Sequence, residues 1–333
     1  MRVLVIGGSG FIGTHVVAAL RGHEVAVLTR GRAPTTVRAI TGDRKRLAES
    51  RDAIAAFAPD VVIDMIASSG DAARGLVAAV RGIAKRVVVI SSMDVYRACG
   101  VLHRLEPGEL EPLPLTEDSP LRTVRQTYPP AQLARLAEVF GWLGDVYDKI
   151  AVEETVRELG ATVLRLPMVY GPGDPLRRLL PIVKRIDDGR PALILAESIA
   201  SWRASRGYVD NVADAIVLAA LDERAAGTTF NISEPDAYSE REWAERVAHL
   251  AGFAGEVVVL PDAATPAHLR QPGNSAQHWI ASSARIRTLG YRERVPLDEA
   301  IRRTIAWERA TPITGFVSHA FDAAAEDAAL AAR

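Results

Sequence analysis

The sequence predicts an α/β fold built on a doubly wound parallel sheet, with a smaller C-terminal α/β portion. Two observations carry this prediction: short apolar segments alternate with helical patterns through the first half of the chain, and a glycine-rich turn follows the first segment. Segments such as "VLVI" and "VVVI" lack polar alternation, which is typical of strands buried on both faces. The chain of 333 residues is 48% hydrophobic, which is enough for a large core.

The predicted elements follow one another in the order that such a sheet requires. Strands are predicted at Val3–Ile6, Glu24–Leu28, Val61–Met65, Arg86–Ile90 and Thr162–Leu166. Helices are predicted at Gly13–Leu20, Leu47–Phe57, Asp71–Val80, Pro175–Asp187, Glu240–Ala251 and Leu297–Glu308, and "GYVDNVADAIVLAAL" reads as a strand that continues into a helix. Alternating strands and helices place neighbouring strands in parallel, with helices on both faces.

The first turn, "VLVIGGSGFIG", is typical of a dinucleotide site. Gly7, Gly10 and Gly13 recur every three residues directly after a strand and before a helix. Such glycines make the tight turn, let the backbone approach a pyrophosphate and let helix and strand pack closely. We therefore expect a Rossmann-type sheet whose cofactor contacts include Gly7, Ser9, Gly10, Phe11, Ile12 and Gly13.

The end of the second strand, "VLTRGR", favours NADP over NAD as the cofactor. An acidic residue here would hold the ribose 2′-hydroxyl of NAD, but the chain has Arg30 and Arg32. A guanidinium suits a 2′-phosphate, so NADP is the prediction and NAD the alternative.

Residues 99–135 contain six prolines and show little periodicity, so they are predicted to form a long loop insertion. Around it we expect a dinucleotide-binding domain of residues 1–170 and 208–232. A substrate-binding portion would comprise residues 171–207 and 233–333.

Composition narrows the class of protein. The net charge of −1 makes nucleic acid an unlikely partner, and no apolar stretch is long enough for a membrane span. The single cysteine, Cys99, excludes an intrachain disulfide and fits a cytoplasmic protein. Seven scattered histidines predict no metal site.

Several motifs, taken together, resemble the extended short-chain dehydrogenase/reductase family, the NAD-dependent epimerase/dehydratase group. The matching segments are "GGSGFIG", "GDR" (Gly42–Arg44), "DVVIDMIA", "VVVISSMDVY", "LRLPMVYGPGDP", "YVDNVADAI" and "YRERVPLDEAIRRTIAWE". The resemblance spans nearly the whole chain and is far more specific for fold than for reaction.

The resemblance implies roles for particular residues. Ser92 stands at the position of the family's catalytic serine, and Lys149, followed by Glu153, stands at that of its lysine. Further cofactor contacts would be Asp43, Arg44, Met65, Ile66, Ala67, Lys149 and Pro167. The resemblance implies an NADP-dependent reductase or epimerase that acts by hydride transfer on a carbonyl or hydroxyl of a small, sugar-like molecule. It also implies a homodimer formed through the helices around the lysine.

The catalytic tyrosine departs from the family pattern. The residue four before Lys149, where the tyrosine belongs, is Asp145, whereas Tyr147 lies only two residues before the lysine. Positions two apart on a helix point about 200° apart. Tyr147 could still serve if the helix begins near Asp145 as its N-cap, and otherwise Tyr128 or Tyr96 could be brought in by the proline-rich segment. We take Ser92, Tyr147 and Lys149 as the catalytic candidates.

Other departures bear on the substrate. Met93 cannot protonate a leaving hydroxyl, which argues against a dehydratase, and Met168 replaces an asparagine found in nucleotide-sugar enzymes. Six basic residues of the substrate half either clamp an anionic substrate or form solvated helix faces: Arg177, Arg178, Lys184, Arg185, Arg203 and Arg206. The alternative function is a non-catalytic NAD(P)-binding or RNA-associated scaffold with a degenerate site.

Overall fold

The structure is a computed structural model and describes residues 1–31, 37–126, 128–271, 273–313 and 321–333. Its strands within this part of the chain are β1 (Arg2–Ile6), β2 (Glu24–Thr29), β3 (Arg38–Thr41), β4 (Val61–Asp64), β5 (Arg86–Ser92), β6 (Thr162–Leu166), β7 (Met168–Tyr170), β8 (Ala192–Ala196), β9 (Arg206–Tyr208), β10 (Thr229–Asn231) and β11 (Glu256–Leu260). Seven of them form a parallel sheet in the order β10-β6-β5-β4-β1-β2-β3, and the pairs β8–β11 and β7–β9 stand apart. The prediction of a doubly wound parallel sheet is confirmed.

Helices connect the strands and cover both faces of the sheet. They are α1 (Phe11–Ala19), α2 (Arg51–Phe57), α3 (Gly70–Val80), α4 (Arg97–Leu102), α5 (Pro130–Val139), α6 (Lys149–Val156), α7 (Leu180–Asp187), α8 (Glu197–Ala200), α9 (Val209–Leu221), α10 (Glu240–Leu250), α11 (Ala284–Arg287), α12 (Leu297–Ala310) and α13 (Ala323–Ala331). In the described part of the chain, no helix is both long and apolar enough to cross a membrane.

The core lies on both sides of the central strands. Val3 and Val5 of β1 pack into one hydrophobic cluster with residues of α1 and α9. Leu4 and Ile6, which alternate with them, pack into a second cluster with α2 and α3. All four side chains are fully buried, which explains why the strand has no polar alternation.

The prediction of a continuous loop over residues 99–135 was wrong at both ends. Residues up to Leu102 belong to α4, ahead of the first proline, and α5 begins at Pro130. Proline is tolerated at the first helical position because that backbone nitrogen has no partner within the helix anyway. The long loop is therefore confined to residues 103–129, where only Thr127 lies outside the described residues.

Two further boundaries differ from the predictions. The helix expected from Pro175 begins only at Leu180, because Asp174 and Arg178 first form a hydrogen-bonded turn. The segment expected as one helix from Leu47 begins as a 3₁₀ turn over Arg44–Ser50 and becomes α-helical at Arg51.

Candidate active site

The glycine turn between β1 and α1 is shaped to admit a pyrophosphate. Gly7 has a φ of +84°, and a Cβ there would lie 2.8 Å from a methyl carbon of Ile66. A Cβ on Gly13 would overlap the carbonyl oxygen of Gly7. Gly10 is the N-cap of α1 and has no side chain to cap the helix, so the first N–H groups of α1 are available to an anion. Ser9 is exposed at the tip of this turn.

These features fit a dinucleotide cofactor, because the space that the glycines leave open would be closed by any larger residue. Phe11 and Ile12, in the first turn of α1, line the cavity that contains Ser92. The turn thus reaches from the expected pyrophosphate position towards the candidate catalytic residues.

The residues expected near the adenosine are only partly described. Arg30 is exposed directly after β2, and Arg32 lies outside the described residues. The Asp43 side chain accepts a hydrogen bond from the Lys45 backbone N–H at 2.9 Å. Arg44 is turned inward, and its Nη2 donates to Oδ2 of the fully buried Asp64 at 2.6 Å. Arg44 therefore braces the end of β4 and is not a surface cation.

The segment that follows β4 lines the expected cofactor side of the cavity and also contacts Lys149. Met65 lines the cavity, and the Ile66 N–H donates to Oδ1 of Asp64 at 3.0 Å. The Lys149 Nζ donates to the carbonyl oxygens of Ala67, at 2.6 Å, and Ile90, at 2.9 Å. These two bonds hold the ammonium group against the ends of β4 and β5.

Burial lowers the Lys149 pKa to about 8, although the carboxylates of Asp64 and Asp94 oppose the shift. Lys149 is only 4% exposed. Its charge at neutral pH is therefore preserved by its neighbours and is lost in mildly alkaline solution.

Helix α6 begins at Lys149, and its N-cap is Asp148. The Asp148 Oδ1 accepts the Ala151 N–H at 2.9 Å, and the Asp148 N–H donates to the Ser68 carbonyl at 2.8 Å. The expectation that Asp145 caps this helix was wrong, because the bond to Ser68 selects the later aspartate. Tyr147 consequently lies ahead of the helix, where the angular spacing of helical positions does not apply.

Tyr147 lies beside Ser92 in the structure and shares a carboxylate with a second tyrosine. Its hydroxyl donates to Oδ2 of Asp94 at 3.0 Å, and the Tyr128 hydroxyl donates to the same oxygen at 3.0 Å. The Ser92 Oγ accepts the Asp94 N–H at 3.1 Å. The Lys149 Nζ is 5.9 Å from the centre of the Tyr147 ring. The site thus brings together the three catalytic candidates and adds Asp94 and Tyr128.

Electrostatics at this cluster differ from those implied by the family resemblance. Burial raises the pKa of Tyr147 well above its ordinary value, and the Asp94 carboxylate raises it further, while Ser92 acts in the opposite direction. Burial and Asp94 also raise the Tyr128 pKa. Both phenols are therefore protonated at neutral pH and can act as acids.

Tyr96, the other alternative, belongs to a different network. Its buried hydroxyl donates to Oδ1 of Asn231 at 2.6 Å and accepts from Arg165 at 3.0 Å. Arg165 in turn makes two bonds to Glu153, which also accepts the Ser91 hydroxyl at 2.6 Å. This network fixes α6 against β5 and β6 behind the cavity.

A cavity of about 440 Å³ opens beside the cluster. Ser92, Tyr147, Lys149 and Pro167 line it. Its other walls are largely apolar and come from α4, from the segment around α5, and from Ile199, Trp202, Gln271, Gly273, Ser275 and Trp279. In the described part of the chain, no three His, Cys, Asp or Glu side chains are grouped to hold a metal ion.

The basic residues of the substrate half are paired within the protein. Each forms a salt bridge, in the pairs Arg177–Glu308, Arg178–Asp174, Lys184–Asp188, Arg185–Glu326, Arg203–Glu242 and Arg206–Glu240. Arg178 is the member of this set that lines the cavity. The geometry therefore gives little support to an arginine clamp for an anionic substrate.

With this geometry established, comparison with known proteins decides the family. The sequence matches the NAD dependent epimerase/dehydratase family over residues 3–114 and 146–233. The chain belongs to this family. The resemblance inferred from the motifs is thus confirmed, and the chain is an NAD(P)-dependent oxidoreductase or epimerase of the extended short-chain dehydrogenase/reductase type.

Two relatives of this chain are named as reductases. The chain is 30% identical to the 2′-dehydrokanamycin reductase of Streptomyces kanamyceticus over 277 residues, 78% of this chain and 70% of that protein. It is 27% identical to the 3-diazoavenalumate denitrifying reductase of a Streptomyces species, over 80% of this chain and 86% of that protein.

Solved structures of the same family share its fold. The Thermus thermophilus UDP-glucose 4-epimerase in complex with NAD aligns with a TM-score of 0.64 and 25% identity, covering 94% of this chain and all of that one. The Thermotoga maritima UDP-glucose 4-epimerase with UDP-glucose gives a TM-score of 0.66 at 20% identity, over 93% and 99% of the two chains.

Two parts of the candidate active site were not predicted from the sequence. Asp94 was not among the predicted catalytic residues, yet it is 6% exposed and accepts both tyrosine hydroxyls. The second part is the segment "AQLARLAEVFGWL", whose Leu136, Phe140, Trp142 and Leu143 line the cavity. The sequence feature that could have indicated the role of Asp94 was the presence of an acidic residue only two positions after Ser92.

Proposed function

We propose that this enzyme is an NADP-dependent reductase that converts a carbonyl group of a small molecule to a hydroxyl. The observation that carries the proposal is the Tyr147 hydroxyl, which lies 3.0 Å from Asp94 and next to Ser92. When bound, the reduced cofactor supplies a hydride to the carbonyl carbon.

The residues of the chain would handle the carbonyl oxygen. The Ser92 hydroxyl donates a hydrogen bond to that oxygen, which stabilises the negative charge that develops on it. Tyr147 transfers its phenolic proton to the same oxygen, so that carbonyl, hydride and proton together yield the alcohol. Lys149 holds the ribose of the cofactor and contributes positive charge near Tyr147.

Reduction is favoured over epimerisation by the position of Asp94. An epimerase needs a base to remove a proton in one half of its cycle, and the carboxylate beside Tyr147 disfavours the phenolate that would do so. A protonated phenol is the form that a reductase uses. The two relatives named as reductases support the same direction.

NADP as the cofactor is proposed from Arg30 and Arg32, because guanidinium groups recognise phosphate well. NAD remains the alternative, since a structural neighbour was solved with it. The division into a cofactor domain and a substrate portion is also proposed, and Trp202 and Trp279 of the substrate portion line the cavity. Homodimerisation and a cytoplasmic location stay predictions.

A non-catalytic scaffold is disfavoured, because Ser92, Tyr147 and Lys149 line one cavity. That arrangement is unnecessary for a protein that only binds its cofactor.

The experiment that tests the proposal starts with the cofactor. Protein purified from the cell is denatured, the released nucleotide is identified by mass spectrometry, and NADPH and NADH are titrated into the emptied protein. We expect NADP(H) to be released and NADPH to bind more tightly. Tighter NADH binding would overturn the cofactor assignment.

The catalytic part is tested with Lys149→Ala, assayed by NADPH oxidation over a panel of carbonyl compounds. We expect this variant to lose turnover and to retain the wild-type far-UV circular dichroism spectrum. Wild-type turnover in Lys149→Ala would remove the lysine from the mechanism.

A further inference from the structure

We propose that the substrate of this enzyme is an apolar, aromatic carbonyl compound and not a nucleotide sugar. The proposal rests on the proposed reductase function and names the substrate class of the same site. It departs from the expectation of a sugar-like substrate and is argued from the walls of the cavity.

One wall is built by a segment that lies outside the family match. The family match covers residues 3–114 and 146–233, so residues 115–145 lie between the two matched stretches. That unmatched segment contributes four large apolar side chains to the cavity: Leu136, Phe140, Trp142 and Leu143. Phe140 and Trp142 contact each other with ring centres 5.6 Å apart. The wall that this unmatched segment contributes is therefore an aromatic and aliphatic surface.

Further apolar side chains line the substrate side, beside the polar residues Gln271 and Ser275. These side chains are Leu102 from α4, Ile199 from α8 and the indole rings of Trp202 and Trp279. The Trp202 Nε1 donates to the Gln277 carbonyl at 2.9 Å, so its polar atom is already satisfied. Stacked or edge-on contacts with a planar ring suit such walls.

Positive charge is scarce in the cavity. Its described lining residues with cationic groups are Lys149, Arg178 and His103. Lys149 is held by two backbone carbonyls, and Arg178 donates to Asp174 at 2.8 Å and to the Val169 carbonyl at 2.9 Å. Burial lowers the His103 pKa, which keeps the ring neutral at pH 7. A diphosphate placed here would not find the unpaired cations that usually bind phosphate.

The test is isothermal titration calorimetry on the full chain with saturating NADP⁺. The probes are acetophenone, 4-phenylbutan-2-one and 2-acetylnaphthalene, with UDP-glucose for comparison. We expect at least one aryl ketone to bind about tenfold more tightly than UDP-glucose, because the ring buries apolar surface that the sugar nucleotide cannot. Tighter binding of UDP-glucose, or no measurable binding of any of the three ketones, would overturn the proposal.

A matched pair of tryptophan variants locates the binding. Trp142→Ala removes a ring from the cavity wall, and we expect about tenfold weaker ketone binding. Trp307→Ala removes a ring that stacks on Arg177 elsewhere in the protein, and we expect no more than about twofold change. Equal losses in the two variants would show that the ketone does not occupy the cavity.

Failure of this proposal and failure of the reductase function can be told apart. If a ketone binds but no NADPH is oxidised in its presence, the substrate class stands and the reductase function is in question. If a carbonyl sugar nucleotide is reduced and no ketone binds, the reductase function stands and the aromatic substrate is rejected.

Discussion

The hydroxyl of Tyr147 lies 3.0 Å from Oδ2 of Asp94, and the hydroxyl of Tyr128 lies at the same distance from the same oxygen. A single carboxylate therefore positions both phenols in the wall of the cavity. Since the Tyr147 side chain is also beside Ser92, it is the better placed of the two to reach a substrate carbonyl.

Tyr147→Phe is expected to lower kcat for carbonyl reduction by about 100-fold or more, the usual contribution of a positioned general acid. The matched control is Tyr128→Phe, which removes the other hydroxyl on Asp94 and should cost less than about tenfold. Steady-state NADPH oxidation measures both. A larger loss in the Tyr128 variant would assign the acid to Tyr128 instead.

Asp94→Asn is expected to shift the alkaline limb of the kcat profile for reduction to lower pH by about one unit. The carboxylate raises the pKa of Tyr147, so its removal lets the phenol ionise sooner, and reduction needs the protonated form. Asp94 also raises the Lys149 pKa, so both effects act in the same direction. An unchanged pH profile of kcat would show that Asp94 does not control the ionisation of Tyr147.

Cofactor affinity is expected to weaken as pH rises through about 8, where the Lys149 ammonium loses its proton. Loss of a charged hydrogen bond to the ribose corresponds to about tenfold weaker binding. Titration of NADPH at pH 7 and pH 9 checks this, with Lys149→Met as the control that should show no such pH dependence. Equal affinities of the wild type at the two pH values would contradict it.

Gly13→Ala is expected to lower the free energy of unfolding by about 1–3 kcal/mol, because the added methyl overlaps the Gly7 carbonyl and α1 must shift. Cofactor binding should weaken with it. Gly10→Ala is the control, since its Cβ would lie 3.4 Å from the same oxygen. Thermal denaturation compares the stability of the two variants, and equal losses would refute the packing argument. Cofactor titration is applied to Gly13→Ala alone, because Gly10 itself lies at the expected pyrophosphate position.

Arg30→Ala is expected to weaken NADPH binding by about tenfold and to leave NADH binding within about twofold, because a charge-assisted bond to the 2′-phosphate would be lost. Arg32→Ala should be measured in parallel. Fluorescence titration of both cofactors gives the ratio. If both variants bind NADPH as tightly as the wild type, the NADP assignment loses its basis.

Local patterns were sufficient to predict the glycine turn between β1 and α1. The close contacts at Gly10 and Gly13 lie within one strand–turn–helix unit, so the glycine spacing specifies them, whereas Gly7 also lies against Ile66 after β4. The four-residue spacing of Lys149 and Glu153 could likewise be recognised from the sequence, since both residues lie on α6.

Contacts between distant segments were not predictable in the same way. Asp145 and Asp148 are equally suited to cap a helix, and the choice depends on a bond to Ser68, which lies about 80 positions earlier. Tyr128 reaches Asp94 because the proline-rich segment returns to the residues after β5, where Leu121 pairs with Tyr96. The residue pattern of a single sequence does not indicate which distant segments will come into contact.

The start of α6 at Lys149 has a consequence for how related chains are recognised. Here the phenol precedes α6 and the ammonium group stands on its first residue, so the geometry of the helix does not fix the spacing between the two. A search that demands fixed spacing between the two would discard this chain as inactive. A search for any phenol that reaches the serine at the end of β5 would retain it.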